Sequence, residues 1–319
     1  MALLERINRK AKTDSNTGFG TNASSYGGRF VNKNGTANIE KRGMHALHRI
    51  SWYHTMIDMP GWKFMLTILS FYIGINFVFA AVYYGIGIEH LDGISSLDTE
   101  WEKFGQAYFF SAQTFTTVGY GHISPIGFLT SVLSAAEALI GLLSFAIATG
   151  LFFGRFSKPT AFLKFSHNAL VSPYKESKGL MFRLSPFKNT NFTDAEAKMT
   201  LAMNIEENGK MVNKFYALDL ELQKINSLTL SWTLVHPITE DSPLYNLTKE
   251  DFANIRGEIL VYIKTFDDMF SNTVAIRTSY TFEEVVFGAR FEPMYFRSKD
   301  DSKTILHLDK LNAFVIVDL

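Results

Sequence analysis

Residues 114–122 read Thr-Phe-Thr-Thr-Val-Gly-Tyr-Gly-His. The run 117–121 within them, Thr-Val-Gly-Tyr-Gly, puts two glycines into a very short stretch. Glycine reaches left-handed dihedrals that other residues avoid. A backbone with that freedom can turn successive carbonyls toward one side. The chemistry of such a run therefore lies in its main chain, and its flanks decide its use.

Both flanks are long and apolar. Residues 62–88 carry only Lys63, at their edge, and residues 127–153 carry one ionisable group, Glu137. At about 1.5 Å per residue, helices of that length cross a hydrocarbon core about 30 Å thick. The alternative is a pair of buried helices in a large soluble protein, and two runs of this length argue against it. Residues 101–115 lie between the spans and are too short to cross. They are apolar and aromatic with helical spacing, which predicts a re-entrant helix. Non-helical backbone after such a helix is allowed in a membrane only where it lines a cavity. Four copies of 117–121 around one axis would stack rings of carbonyl oxygens that replace the hydration shell of K⁺. The C-terminal dipole end of the re-entrant helix would favour a cation there.

Charge sets the orientation. Arg29, Lys33, Lys41, Arg42 and Arg49 precede the first span, and Arg155, Lys158 and Lys164 follow the second. Between the spans stand Glu89, Asp92, Asp98, Glu100 and Glu102 against Lys103 alone. The positive-inside rule predicts a multi-pass protein of the plasma (inner) membrane with both termini cytoplasmic. Residues 48–59 present Ile50, Tyr53, His54 and Ile57 on one helical face and end at Pro60-Gly61. They predict an interfacial helix on the inner leaflet, with Trp52 and Tyr53 as headgroup anchors.

The chain has 319 residues, enough for about two domains. Its 31 basic and 31 acidic residues balance, so no global field calls for nucleic acid. It has no cysteine, which excludes disulfides, thiolate metal sites and cysteine catalysis. The eight histidines show no metal-ligand spacing, and no cofactor is expected. The first 45 residues are rich in Asn, Gly, Ser, Thr and Lys without an apolar signal-peptide core, and predict a mobile tail.

From residue 159 the apolar period changes to two. Met199, Leu201, Met203 and Ile205 alternate with polar residues, as do Leu218, Leu220 and Leu222, then Leu228, Leu230, Trp232 and Leu234, then Ile259, Val261 and Ile263. Asn208-Gly209 reads as a hairpin turn. Several short half-buried strands predict an immunoglobulin-like β-sandwich. The expected organisation is a tail at 1–45, an interfacial helix and pore domain at 46–158, and a sandwich at 159–319.

Two spans, a Thr-Val-Gly-Tyr-Gly loop and a sandwich tail resemble an inward-rectifier potassium channel, nearest to the prokaryotic KirBac branch. The likeness extends to Trp-Thr-Leu-Val-His-Pro-Ile-Thr-Glu-Asp-Ser-Pro-Leu-Tyr at 232–245, Arg-Thr-Ser-Tyr at 277–280, Phe-Gly-Ala-Arg-Phe-Glu-Pro at 287–293 and Gly-Arg-Phe-Ser-Lys-Pro at 154–159. It covers about residues 45–317. The resemblance implies a homotetramer with one central pore, which also follows because one chain supplies one loop. Thr117, Val118, Gly119 and Tyr120 would give the K⁺-binding carbonyls, with the Thr117 hydroxyl innermost and Gly121 letting the chain leave.

The remaining roles are read against the family pattern. Glu137 matches an acid behind the filter in KirBac-type chains and should bond to pore-helix or filter groups. Gln113 stands where many members carry Glu, which some eukaryotic members pair with an Arg just after the filter; here His122 follows the filter, so Gln113 must brace by neutral hydrogen bonds. Phe145 occupies the position of an acid or Asn in strong rectifiers, which implies weak rectification. Phe145 and Phe153 are candidate apolar gates, and Gly141 and Gly150 are candidate hinges or points of close helix approach. Ile276, in a stretch 273–279 matching the loop that narrows the cytoplasmic pore, is a candidate constriction. Lys41, Arg42, Arg49, Arg155 and Lys158 map to the family's phosphoinositide region.

The function expected is passive K⁺ conduction gated by the cytoplasmic domain and inner-leaflet lipid. The alternative is a membrane-tethered β-sandwich sensor or interaction module with little conduction. No paired carboxylates, nucleophile elbow or phosphate loop in the β region supports an enzyme, and no Gly-rich β/α unit supports a nucleotide-binding tail.

Overall fold

The computed structural model describes residues 11–14, 17–19, 28–43, 45, 51–94, 99–207 and 210–319. The chain divides into two compact units. One holds Arg42–Lys158, the other Met1–Lys41 with Pro159–Leu319.

The first unit is helical. α1 (Trp52–Asp58) is short and buries none of its residues. Pro60 then opens α2 (Gly61–Ile86), placing its missing N–H where a helix start needs none. A two-residue strand β1 (Leu91–Asp92) precedes α3 (Glu100–Phe115), and its partner β2 (Ser124–Pro125) precedes α4 (Phe128–Phe156). The most apolar windows of α2 and α4 are only 17% and 11% buried, so these are not the core helices of a soluble domain. α3 packs on both, and the residues they share around Phe79, Tyr83, Ala107 and Phe110 form one buried cluster. The interfacial helix expected at 48–59 is described from Ser51 onward; His48, Arg49 and Ile50 lie outside the described residues.

The second unit is a sandwich of two five-stranded sheets. One has the order β11 (Asn272–Thr281), β10 (Gly257–Asp267), β6 (Phe192–Glu207), β7 (Lys210–Leu218), with β8 (Lys224–Leu228) also on β6. The other has the order β12 (Val285–Phe287), β4 (Ala169–Tyr174), β5 (Ser177–Pro186), β3 (Leu163–Phe165), with β9 (Trp232–Ile238) on β5. Every pairing is antiparallel except β12 with β4. A one-turn helix α5 (Lys249–Asn254) leads into β10. Two small ribbons, β13 (Ala289–Phe291) with β16 (Phe314–Ile316) and β14 (Tyr295–Arg297) with β15 (Thr304–Leu306), complete the unit.

The period-two residues of β6 and β10 meet β5 and β9 in the core, where Leu180, Phe182, Leu201, Ile205, Ile259 and Ile263 are all fully buried. Elsewhere the alternation outruns the strands. β7 ends at Leu218, so Leu220 is buried but Leu222 is exposed. The run 228–234 is two strands, β8 and β9, with a break at 229–231. Asn208-Gly209 lie outside the described residues, between the paired strands β6 and β7.

The expectation of one mobile tail over 1–45 needs correction within the described residues. Phe30 and Val31 are 5% exposed and cover Ala202, Phe215 and Leu260 on the outer face of the first sheet. Glu258, itself buried, accepts hydrogen bonds from the N–H groups of Phe30 and Val31 at 2.5 and 3.0 Å. Arg29 donates to both carboxylate oxygens of Glu284, at 3.2 and 2.9 Å. Polar composition suggested a solvated segment, but two apolar residues and one arginine suffice to dock it.

Candidate functional site

α3 is built to end at the glycine run. Thr99 Oγ1 accepts from the Glu102 N–H, and Glu102 Oε2 accepts from the Thr99 N–H, each at 3.3 Å, closing a capping box at its start. Glu100 and Glu102 in the first turn complement the dipole.

At its other end Gln113 takes three successive amides. Its backbone carbonyl accepts from Val118 N–H at 2.9 Å and Gly119 N–H at 3.3 Å. Its side-chain Oε1 accepts from Tyr120 N–H at 3.2 Å. In a trans peptide the N–H of one residue and the C=O before it point opposite ways. With these three amides turned to α3, the carbonyls of Thr117, Val118 and Gly119 must all face away from it, on one side. The dihedrals show how. φ is +58° at Thr117, +54° at Gly119 and +76° at Gly121, with Val118 and Tyr120 between them outside the left-handed region. Alternating hands aligns peptide planes that an extended strand would alternate. Thr117 is β-branched, so its left-handed backbone holds strain of about 1–3 kcal/mol.

Behind the loop lies a buried polar group. Glu137 Oε1 is 2.5 Å from Ser111 Oγ, and its Oε2 accepts from Tyr83 OH at 2.7 Å. Ser111 Oγ also lies 2.9 Å from Asn76 Oδ1. Glu137 thus meets a residue of α3 rather than the glycine run itself. Sequence reading missed Ser111, Asn76 and Tyr83. A polar Asn within an apolar span was the available signal.

The glycines of α4 differ. A Cβ on Gly141 would sit 1.8 Å from the Phe115 carbonyl oxygen, so this glycine lets α4 press against the end of α3. Gly150 has no such neighbour. Phe145 and Phe153 are each 72% exposed on the single chain.

Arg155 and Lys158 both reach α1. Arg155 donates to the carbonyls of Met56 and Ile57 and sits over the Phe64 ring, and Lys158 pairs with Asp58. Lys41 and Arg42 are exposed, and Arg49 lies outside the described residues.

Ile276 departs from its expected setting. Residues 273–279 are strand within β11, and Ile276 packs against the sandwich core in line with Val274. The tip of that hairpin is 268–271, where Met269 is 69% exposed. Strand alternation turns Ile276 inward and leaves the tip to project.

Comparison with known proteins fits this division. Residues 66–158 match the ion channel family, and residues 163–319 match the inward rectifier potassium channel C-terminal domain. The chain is 32% identical over 289 residues to inward rectifier potassium channel Kirbac3.1 of Paramagnetospirillum magnetotacticum, covering 89% of this chain and 95% of that one. It is 27% identical over 300 residues to ATP-sensitive inward rectifier potassium channel 12 of Bos taurus, covering 86% and 69%. The Gallus gallus channel of the same name is 26% identical over 298 residues. A pore-loop unit and the sandwich that follows it are thus matched together along nearly the whole chain, which belongs to the inward-rectifier potassium channels, a family of ion channels and not of enzymes.

Proposed function

We propose that four copies of this chain surround one axis and conduct K⁺ passively through the carbonyls of Thr117, Val118, Gly119 and Tyr120. The Thr117 hydroxyl is the innermost ligand, and Gly121 releases the chain outward. One observation carries this reading: Gln113 holds three successive amides, so that three carbonyls face away together. A single chain leaves Val118 and Tyr120 uncovered, at 53% and 82% exposure, as expected of a loop completed by neighbours.

Phe145 and Phe153 form apolar constrictions that close by dewetting. An apolar ring at Phe145 offers Mg²⁺ or a polyamine no carboxylate, so rectification there is weak. Met269, rather than Ile276, narrows the sandwich end of the pathway. Both termini lie in the cytoplasm of an inner-membrane protein, with the filter outward. Anionic, phosphoinositide-like lipid binds through Lys41, Arg42 and Arg49, each contributing about 1 kcal/mol. Arg155 and Lys158 join only by leaving Ile57 and Asp58, which links lipid to the position of α1.

The test is rubidium tracer uptake into liposomes holding the purified chain, with K⁺ or Na⁺ as competitor and Gly119→Asp alongside. Uptake that K⁺ suppresses, Na⁺ spares and the variant abolishes is expected. Uptake undiminished in Gly119→Asp refutes the filter assignment.

A further inference from the structure

Asn76, Tyr83, Ser111 and Glu137 join α2, α3 and α4, and all four are fully buried. The orientation of Asn76 is set by its Nδ2, which donates to the Tyr72 carbonyl at 2.7 Å. The opposite orientation would face Oδ1 against that carbonyl. Asn76 therefore presents only an acceptor to Ser111, 2.9 Å away.

The hydrogens can be counted. A serine hydroxyl carries one. Ser111 Oγ lies within bonding distance of two oxygens, Asn76 Oδ1 and Glu137 Oε1. A carboxylate at Glu137 would make both of them acceptors. One contact would then set two oxygens face to face with no hydrogen between them, in a site closed to water. Tyr83 cannot supply the missing hydrogen, because its own goes to Glu137 Oε2. A hydrogen on Glu137 Oε1 completes the set. Oε1–H donates to Ser111 Oγ, Ser111 donates to Asn76 Oδ1, and Tyr83 donates to Oε2. Every buried oxygen then has a partner.

We propose that Glu137 works as a neutral carboxylic acid, and that the directed chain from Glu137 through Ser111 to Asn76 positions the pore helix behind the filter. These are positioning residues. Ser111 stands two residues before Gln113, which clasps the filter amides, and Gly141, one turn after Glu137, packs on the Phe115 carbonyl. A directed chain holds α3 in one place between the spans, whereas a lone acceptor would leave Ser111 to choose. The hydrogen count stands on geometry alone, and its effect on conduction rests on the filter reading above.

The experiment joins infrared difference spectroscopy with flux, both on the full chain in liposomes. The unmodified protein minus Glu137→Gln should show, at neutral pH, the carbonyl band of a protonated carboxylic acid, and Ser111→Ala should shift that band. Glutamine also keeps the hydrogen bonds, with its amide donating to Ser111 and its oxygen accepting from Tyr83. Rubidium uptake in Glu137→Gln should stay within about twofold of the unmodified protein, while Glu137→Asp, too short to reach, should lose about tenfold, the equivalent of one hydrogen bond. Carboxylate bands in place of the acid band overturn the proposal, as does a glutamine variant that fails as badly as the aspartate one. If the unmodified protein passes no rubidium, its pore is closed or the filter reading fails, and the infrared bands still decide the hydrogen.

Discussion

The guanidinium of Arg155, in the last turn of α4, donates to the backbone carbonyl of Ile57 in α1 at 3.0 Å. It reaches the Met56 carbonyl as well, at 3.3 Å. The last carbonyls of a helix have no partner within it, and α1 has no basic residue in its own last turn. Arg155 supplies both the donor and the positive charge that this end favours. Any sliding of α1 must therefore stretch a bond to the end of α4, two residues from Phe153.

Arg155→Gln should release α1 at a cost of about 1–3 kcal/mol. Arg155→Lys should restore only part of it, because an ammonium has hydrogens for both carbonyls but lacks the planar guanidinium face that covers the Phe64 ring. Spin labels on α1 and α4 would report this as a broadened distance distribution in the glutamine variant. An unchanged distribution would mean that packing of Tyr53 and Ile57 against Gly154 holds α1 alone.

Gln113 contributes one backbone and one side-chain acceptor to the amides of Val118, Gly119 and Tyr120, and the two can be separated. Gln113→Ala leaves Val118 and Gly119 held by the backbone carbonyl but frees Tyr120 N–H. The loss of about 1 kcal/mol of hydrogen bonding should loosen the outer end of the filter, lowering the K⁺ to Na⁺ permeability ratio about fivefold. Gln113→Glu keeps an acceptor at the same reach and should retain most of the ratio. Reversal potentials in bilayers decide it, and equal ratios in all three proteins would remove the side chain from the filter.

Gly141 is needed for close approach. Alanine there would meet the carbonyl oxygen, carbon and Cα of Phe115 at 1.8, 2.7 and 3.1 Å, and a backbone cannot swing aside as a side chain can. Gly141→Ala should destabilise the pore unit by about 1–3 kcal/mol or displace α3, and flux should fall with it. Gly150→Ala meets nothing and, in mid-helix, should hold or raise stability by up to about 1 kcal/mol. Melting of both variants in detergent tests the contrast; similar losses at the two sites would point to bending rather than packing.

What the sequence made legible follows the range of each signal. The spans, the re-entrant helix and the filter run are local patterns, and Gly119 and Gly121 sit where positive φ is required. The strands showed through period two because one face of each is buried. Residues whose role depends on a distant neighbour did not show. Ser111 reads as a small polar residue until Asn76 and Glu137 arrive from two other helices. Phe30 and Val31 look solvated until β6, β7 and β10 offer them a face. Arg155 reads as a topological charge, and its partner Ile57 lies 98 residues away. The inward packing of Ile276 did not show either, because the family likeness gives a position along the chain and not a side of the strand.

His236 gives the sandwich a pH dependence of definite sign. The ring is 4% exposed, with Nδ1 2.7 Å from the Asp219 carbonyl and Nε2 2.8 Å from Ser242 Oγ. Burial lowers its pKa from the ordinary 6.5, and the Asp219 carbonyl only partly opposes this. The unfolded chain therefore binds a proton that the folded chain refuses. Above about pH 6.5 both states hold a neutral ring and nothing is lost. Below it the unfolded state gains a proton first, so stability falls as pH falls through the unfolded value and keeps falling until the folded ring titrates. His236→Gln should lower stability by about 1–2 kcal/mol at neutral pH, through poorer bonding to Asp219 and Ser242. It should also flatten the slope below about pH 6.5. Denaturation of the full chain in detergent, followed by tryptophan emission at several pH values, separates the two effects. A slope that survives in the glutamine variant would assign acid sensitivity to other groups, with the half-buried Glu284 the first to examine. Burial pushes that carboxyl up, but Arg29, the Thr281 N–H and Lys33 outweigh it, so its contribution is also lost toward acid.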